Sequence, residues 1–211
     1  MLRRAWDDRV VPRLVERSLT DRLAGPWRSR VCGEVGGVVL DIGFGSGRNL
    51  PYYSRSVVEV LAVDPSDLAW SLAAERVREA PFRVRRIGRD AAEIAAPDAS
   101  VDAVVTTWSM CTIADVDLTL AECARVLRPG GAIHFAEHSL APSRRTAAVQ
   151  RRLQPLWGAV TGGCHIDRDL PTIMRTAGYT IDDLAGEYAL DGLLSRPAAW
   201  FITGRARPLR C

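Results

Sequence analysis

The chain has 211 residues, is 47% hydrophobic and 25% charged, and carries a formal net charge of +3. That apolar share is enough to bury a full core and excludes a disordered chain, and the length fits one domain. No run approaches the roughly 18 apolar residues of a bilayer-spanning helix. All 28 basic residues are arginine. This usage reads as codon composition and solvated surface, so no nucleic-acid partner is expected. Charges at Arg3, Arg4, Asp7 and Asp8 interrupt the place where a secretory signal needs its apolar run, so a cytoplasmic location is expected. The cysteines are Cys32, Cys111, Cys123, Cys164 and Cys211, an odd number with no C-x-x-C pair. Neither a disulfide framework nor a metal site is expected from them.

Apolar residues Leu2, Trp6, Val10, Leu14, Val15, Leu19 and Leu23 recur at helical spacing, predicting an amphipathic helix over 2–23 that stops near Gly25-Pro26. Val38–Ile42 reads as a buried strand closed by glycines. A short helix is expected from about Asn49. Val57–Val63 predicts a strand, Ser66–Glu79 a helix with Ser66 as N-cap, and Phe82–Ile87 a weaker strand. Val101–Thr106 is a further strand, and Asp115–Leu127 a helix with Leu118, Ala121, Cys123 and Val126 inward. Pro129-Gly130-Gly131 forms a turn into a strand at Ala132–Ala136. Helices over Arg144–Trp157 and Asp169–Ala177 flank a loop at Thr161-Gly162-Gly163, and strands near Thr180–Ala189 and Ala198–Thr203 end the chain. This alternation predicts an α/β, Rossmann-like, doubly wound and mostly parallel seven-stranded sheet, with an antiparallel edge hairpin and an N-terminal helix.

The strongest local pattern is Asp41-Ile42-Gly43-Phe44-Gly45-Ser46-Gly47. Glycines at a strand end let a ligand lie against bare backbone. A dinucleotide loop places its third glycine next to a pyrophosphate. Here that glycine comes one position early and Arg48 takes its place, which suits a ligand without pyrophosphate. Asp41 can help hold an ammonium, directly or through water. Asp64 follows at 64 − 41 = 23 positions, at the end of Val60–Val63, close to the offset of about 20 at which a carboxylate accepts ribose hydroxyls. Capping the next helix is the less favoured alternative, because the glycine loop and this carboxylate occur together. Asp90 can accept from an adenine amine while the Ala91 amide donates to a ring nitrogen, although Asp90 can also cap a short helix.

On these residues the chain resembles the class I S-adenosylmethionine-dependent methyltransferases over roughly 36–139. The resemblance rests on Val39 through Gly47, on Ala62-Val63-Asp64-Pro65-Ser66, on Arg89-Asp90-Ala91 and on Arg125-Val126-Leu127-Arg128-Pro129-Gly130-Gly131. The last block is similar to the branch that includes ubiquinone and menaquinone methylases. Thr107-Trp108-Ser109-Met110-Cys111-Thr112-Ile113, His134-Phe135-Ala136-Glu137-His138 and Gly163-Cys164 resemble the thiol S-methyltransferases and their bacterial relatives. The animal members carry a hydrophobic leader, which residues 1–30 do not match; they hold eight arginines against four acids. Membrane-surface contact by this helix is the less favoured reading, and a lid over the pocket the preferred one. No Asn-Pro-Pro-Tyr-type tetrad follows the fourth strand, so methylation of a planar amine is not expected.

The resemblance implies S-adenosylmethionine as cofactor and S-adenosylhomocysteine as product. Expected cofactor contacts are Asp41, Gly43, Gly45, Gly47, Asp64, Pro65, Asp90, Ala91 and Thr107. The implied chemistry is in-line methyl transfer to a small, lipophilic acceptor, a thiol first, then a phenol or quinol. If a base is needed, His138 is the first candidate and His165 the second, each with a packing role as the alternative. The expected layout is a single domain over 1–211: a helical lid at 1–30, a cofactor-binding core at 36–139, and substrate-side helices and closing strands at 140–211. Rival readings are a phospholipid amine N-methyltransferase, a non-catalytic cofactor binder and an NAD-dependent oxidoreductase.

Overall fold

A computed structural model describes Trp6, residues 9–190, Gly192 and residues 195–209. Strand β1 (Gly37–Ile42) lies between β2 (Val57–Val63) and β4 (Val101–Thr107), parallel to both. Strand β3 (Arg83–Gly88) extends the sheet beyond β2, and β5 (Leu127–His138) extends it beyond β4, again in parallel. The last two strands, β6 (Tyr179–Tyr188) and β7 (Trp200–Pro208), close the edge: β7 runs antiparallel on β5, and β6 antiparallel on β7. The order is β3-β2-β1-β4-β5-β7-β6, the expected seven-stranded sheet.

Successive strand residues point to opposite faces, and each face has its own core. Leu40, Ile42, Leu61, Val63, Val104 and Ile133 pack on one side with Val116, Leu120 and Leu170. On the other, Val39, Val60, Ala62 and Val105 pack with Trp27, Val31 and Phe201. Strands buried on both faces read as continuous apolar runs, which is why β1, β2 and β4 stood out in the sequence.

The helices depart from expectation in four places, one of them the helix expected over 66–79, which is two helices meeting at Ala73. The helix expected over 2–23 falls partly outside the described residues. Within them the chain forms α1 (Val11–Ser18), turns at Leu19-Thr20, and continues as α2 (Asp21–Cys32) straight through Gly25-Pro26. Helix α2 buries Ala24, Trp27, Val31 and Cys32 against the sheet, and that burial outweighs one lost backbone hydrogen bond at Pro26. Gly25 also removes the Cβ that would crowd the proline ring and the Tyr52 hydroxyl. Third, the helix expected at Asn49 is a single 3₁₀ turn at Leu50–Tyr52. Fourth, α5 (Val116–Val126) turns Val116, Thr119, Leu120, Cys123 and Val126 inward, while Leu118 is 54% exposed and Ala121 faces solvent. Asp115 accepts the Leu118 N–H as N-cap, which fixes that phase.

The remaining helices are α3 (Asp67–Leu72), capped by Ser66 as expected, α4 (Ala74–Glu79), α6 (Arg144–Val160), α7 (Leu170–Thr176) and the short α8 (Arg196–Ala199). The turn at Pro129–Gly131 is a bulge within β5: Val101 pairs with Leu127 but Ala103 with Ala132.

Gly204 lets β7 sit flat on the sheet. A Cβ there would collide with the Asp183 carbonyl and come within 2.5 Å of the Phe135 ring. Gly204→Val is therefore expected to lower stability by about 2–3 kcal/mol, read as a lower urea midpoint. An unchanged midpoint would show that the edge hairpin is loosely docked.

Candidate active site

The connection order reverses between β1 and β4, and a crevice opens at the carboxyl ends of the strands there. A cavity of about 750 Å³ occupies it. Its floor is the Gly43–Ser46 loop, Asp64-Pro65-Ser66 and Thr107-Trp108-Ser109; Asp90 and Ala91 close one end. Val11, Pro12, Val15 and Leu19 from α1 and its end cover it. Glu16 ties this helix down, pairing with Arg48 at 2.8 Å and Arg76 at 3.1 Å and accepting the Ser46 hydroxyl.

Gly43, Gly45 and Gly47 have φ of 70°, 56° and 75°, a region that side chains other than glycine rarely adopt. A Cβ on Gly45 would meet nothing nearer than 3.8 Å, so the loop presents bare backbone to open space. Asp64, 6% exposed, braces it: one carboxylate oxygen accepts the Gly45 N–H and the other the Ser66 N–H, both at 2.8 Å. Burial raises its pKa, and those two N–H donors pull it back toward the ordinary range.

The expected residues Gly43, Gly45, Asp64, Pro65, Asp90, Ala91 and Thr107 all line the cavity. Asp41 and Gly47 do not. Asp41 is fully buried behind the wall and accepts the Tyr53 hydroxyl at 2.8 Å and the Asn49 amide at 3.2 Å. Asp41 thus lies behind the lining and does not reach the cavity directly. It positions Asn49, which does line the cavity and accepts the Thr107 hydroxyl. Burial pushes the Asp41 carboxyl up to about 7. Asp90 accepts the Ala92 N–H at 2.9 Å in a turn, with no helix to cap. Gly47 packs against Leu50, Phe44 and Ala73.

His138 and His165 are not part of the cavity lining. The His138 ring is wedged against Phe201, centroids 4.7 Å apart, with Nδ1 facing the Cys111 and Cys164 sulfurs. His165 is 44% exposed at its side chain and sits beside Gln154 and Asp167. This placement gives no support to a base role for either histidine.

Arg28 and Trp108 were not foreseen as a pair. Arg28 is 4% exposed and lines the cavity. Its Nη1 donates to the Leu19 carbonyl at 3.1 Å, its Nε has no partner, and no carboxylate pairs with it among the described residues. Burial lowers its pKa, and neighbouring Arg48 adds to that. The guanidinium lies 5.1 Å from the Trp108 ring centroid. Trp108 has φ of 53° and a buried Nε1 without a partner, a strained residue at a strand end facing the cavity. The sequence did hold one signal: Arg28 stands on the inward stripe of α2 with Ala24, Trp27 and Val31, where a charge is anomalous.

Glu137, fully buried, accepts the backbone N–H groups of Ser109, Met110 and Cys111 and the Thr106 hydroxyl, at 2.8–3.1 Å. It holds the loop after β4 in place.

Bare glycine backbone, a carboxylate at the end of β2 and a buried unpaired cation fit an adenosyl amino acid. Residues 40–135 match the Methyltransf_11 family model, described as a methyltransferase domain. The match covers a little under half of the chain and implies a methyltransferase domain with S-adenosylmethionine as cofactor. The chain is 33% identical over 137 residues to thiol S-methyltransferase TMT1B of Rattus norvegicus (62% of this chain, 55% of the relative). It is 32% identical over 148 residues to thiol S-methyltransferase TMT1A of Homo sapiens (67% and 59%). It is also 33% identical over 120 residues to phosphatidylethanolamine N-methyltransferase of Cereibacter sphaeroides (56% and 59%). The chain thus spans little more than half the length of these relatives. Among solved structures, the methyltransferase complexed with the Trm112 activator from Haloferax volcanii matches with a TM-score of 0.71 at 20% identity, over 98% of each chain. A SAM-dependent methyltransferase from Thermotoga maritima matches at 0.66 and 19% identity, over 97% and 98%. These two show the fold.

A carboxyl raised on folding stabilises the protein fully below its unfolded pKa and loses that contribution as pH rises through the folded value. For Asp41 the window runs from 3.8 to about 7. Asp41→Asn lacks this loss. In cofactor-free protein, the Tm difference between variant and wild type should shift in favour of the variant from about pH 5 to about pH 8. A pH-independent difference would contradict the raised carboxyl.

Proposed function

We propose that this protein transfers a methyl group to a small, lipophilic thiol. The observation that carries this reading is the make-up of the cavity wall. No histidine lines it among the described residues, Glu16 is held in ion pairs with Arg48 and Arg76, and the other two lining carboxylates, Asp64 and Asp90, are assigned below to the cofactor's end. An acceptor there must supply its own anion. A thiol, with a free pKa of roughly 8.5, ionises near neutrality, whereas a phenol near 10 does so far less. The apolar cover from Val11, Val15, Leu19, Ile113 and Ala114 favours a lipophilic acceptor, and the thiol S-methyltransferase relatives support the same class.

When bound, the cofactor supplies a methyl group on a sulfonium, already a good leaving group. The chain's own part is to position and to exclude water. Asp64 would accept from the ribose hydroxyls with its remaining lone pairs, and the bare Gly43–Gly45 backbone would admit the sugar. Ala91 would donate its N–H to the adenine, with Pro65 and Asp90 lining the same end of the cavity. Arg28 would take the carboxylate of the amino-acid moiety, which would satisfy its orphaned Nε. Asn49, oriented by Asp41, and Thr107 face the same end. Helix α1, latched through Glu16, acts as the lid.

The phosphatidylethanolamine N-methyltransferase relative keeps a lipid amine as the second reading. A labelled-methyl assay over apolar thiols, phenols, quinols and amino lipids separates the two. Transfer is expected fastest to apolar thiols, rising with pH as the thiol ionises. Arg28→Met should raise the KM for the cofactor about tenfold or more with kcat little changed. Transfer to amino lipids alone would favour the second reading, and transfer to none of the panel would point to a cofactor-binding protein.

A further inference from the structure

We propose that Cys111, His138 and Cys164 form a binding site for one thiophilic divalent cation of the zinc type. The three residues are far apart in sequence, on the loop after β4, at the end of β5, and on the loop after α6. Folding brings their donor atoms together. The two sulfurs are 3.5 Å apart, and His138 Nδ1 lies 3.7 Å from one and 3.6 Å from the other. An ion with M–S of about 2.3 Å and M–N of about 2.0–2.1 Å at tetrahedral angles sets its sulfurs about 3.8 Å apart and each sulfur about 3.6 Å from the nitrogen. The observed triangle is one face of that tetrahedron, reached with shifts of a few tenths of an ångström.

The backbone carrying the donors is locked on every side. Glu137 accepts the Cys111 N–H at 3.1 Å, and the Cys111 carbonyl accepts the His165 N–H at 2.7 Å. Gln154 donates to the Cys164 carbonyl and accepts the Ile166 N–H. Arg168 donates to the Met110 and Ile113 carbonyls. Such preorganisation is what a metal site requires of its supporting residues. The charge also fits. Glu137 is buried beside Cys111 and has no cationic partner among the described residues, so the neighbourhood is negative once the thiols ionise. Cys111 and Cys164 are buried, which shields the site from competing solvent.

Two thiols and a neutral imidazole would bind the cation with release of both thiol protons to solvent. Three protein ligands leave the fourth tetrahedral position to a non-protein donor. Thr112 on one loop and Thr161-Gly162 on the other both line the cavity. A cation at the triad would therefore clip together two segments of the acceptor-side wall. The choice of acceptor does not bear on this site.

The test uses full-length, tag-free, reduced protein stripped with a chelator and titrated with Co²⁺, then with Zn²⁺. One equivalent of Co²⁺ should give the visible bands of a tetrahedral ion and a sulfur-to-cobalt charge-transfer band, both lost on adding one equivalent of Zn²⁺. Cys111→Ser and Cys164→Ser should each lose the charge-transfer signal or shift its stoichiometry, while Cys32→Ser keeps it. Retained binding of S-adenosylhomocysteine shows that each variant is folded. Absence of the charge-transfer band in reduced wild type, or its survival at full strength in a Cys111→Ser/Cys164→Ser double variant that still binds S-adenosylhomocysteine, would overturn the proposal.

Discussion

The site depends on one contact, the Asp64 carboxylate against the Gly45 N–H. It joins the loop after β1 to the end of β2 and fixes where bare backbone faces the cavity. Two further buried carboxylates do the same work along this edge of the sheet. Asp41 holds Asn49 and Tyr53 in the turn after β1, and Glu137 gathers the N–H groups of the loop after β4. Each sits at or within a residue or two of a strand's carboxyl end and accepts from neutral donors rather than pairing with arginine. A loop held this way keeps its shape before a ligand arrives, so less ordering remains to oppose binding.

The unpaired charges are arranged differently. Many arginines form ion pairs at the surface, of small energetic weight. Arg28 does not. A buried guanidinium without a counter-ion is costly, and it persists here through Trp108, the Leu19 carbonyl and the negative field of Asp21. An anionic ligand group would relieve that cost, so this cation favours a ligand that carries one.

Much of this was legible in the sequence, for physical reasons. The doubly buried strands announce themselves as apolar runs, and Gly43 through Gly47 with Asp64 mark the crevice because backbone exposure and a strand-end carboxylate have few other uses at that spacing. The closing hairpin was legible from its two late strand-like runs. What escaped depends on contacts between distant segments. Gly25-Pro26 reads as a stop, yet burial of Trp27 and Val31 carries the helix through it. Leu118 reads as inward until the Asp115 cap sets the helix phase. His138 reads as a base because it ends a strand near the crevice, but Phe201 on β7 turns its ring aside. Cys111 and Cys164, 53 positions apart, show no metal-ligand spacing at all, and only the fold makes them neighbours of one imidazole.

The central claim is that the glycine backbone at 43–45, the Asp64 carboxylate and the Arg28 guanidinium converge on one adenosyl amino acid. The most direct measurement is a crystal structure with S-adenosylhomocysteine bound. The expected result is ribose hydroxyls on Asp64, adenine against the Ala91 amide and the ligand carboxylate on Arg28. A ribose turned away from Asp64, or a ligand seated outside the crevice between β1 and β4, would contradict it.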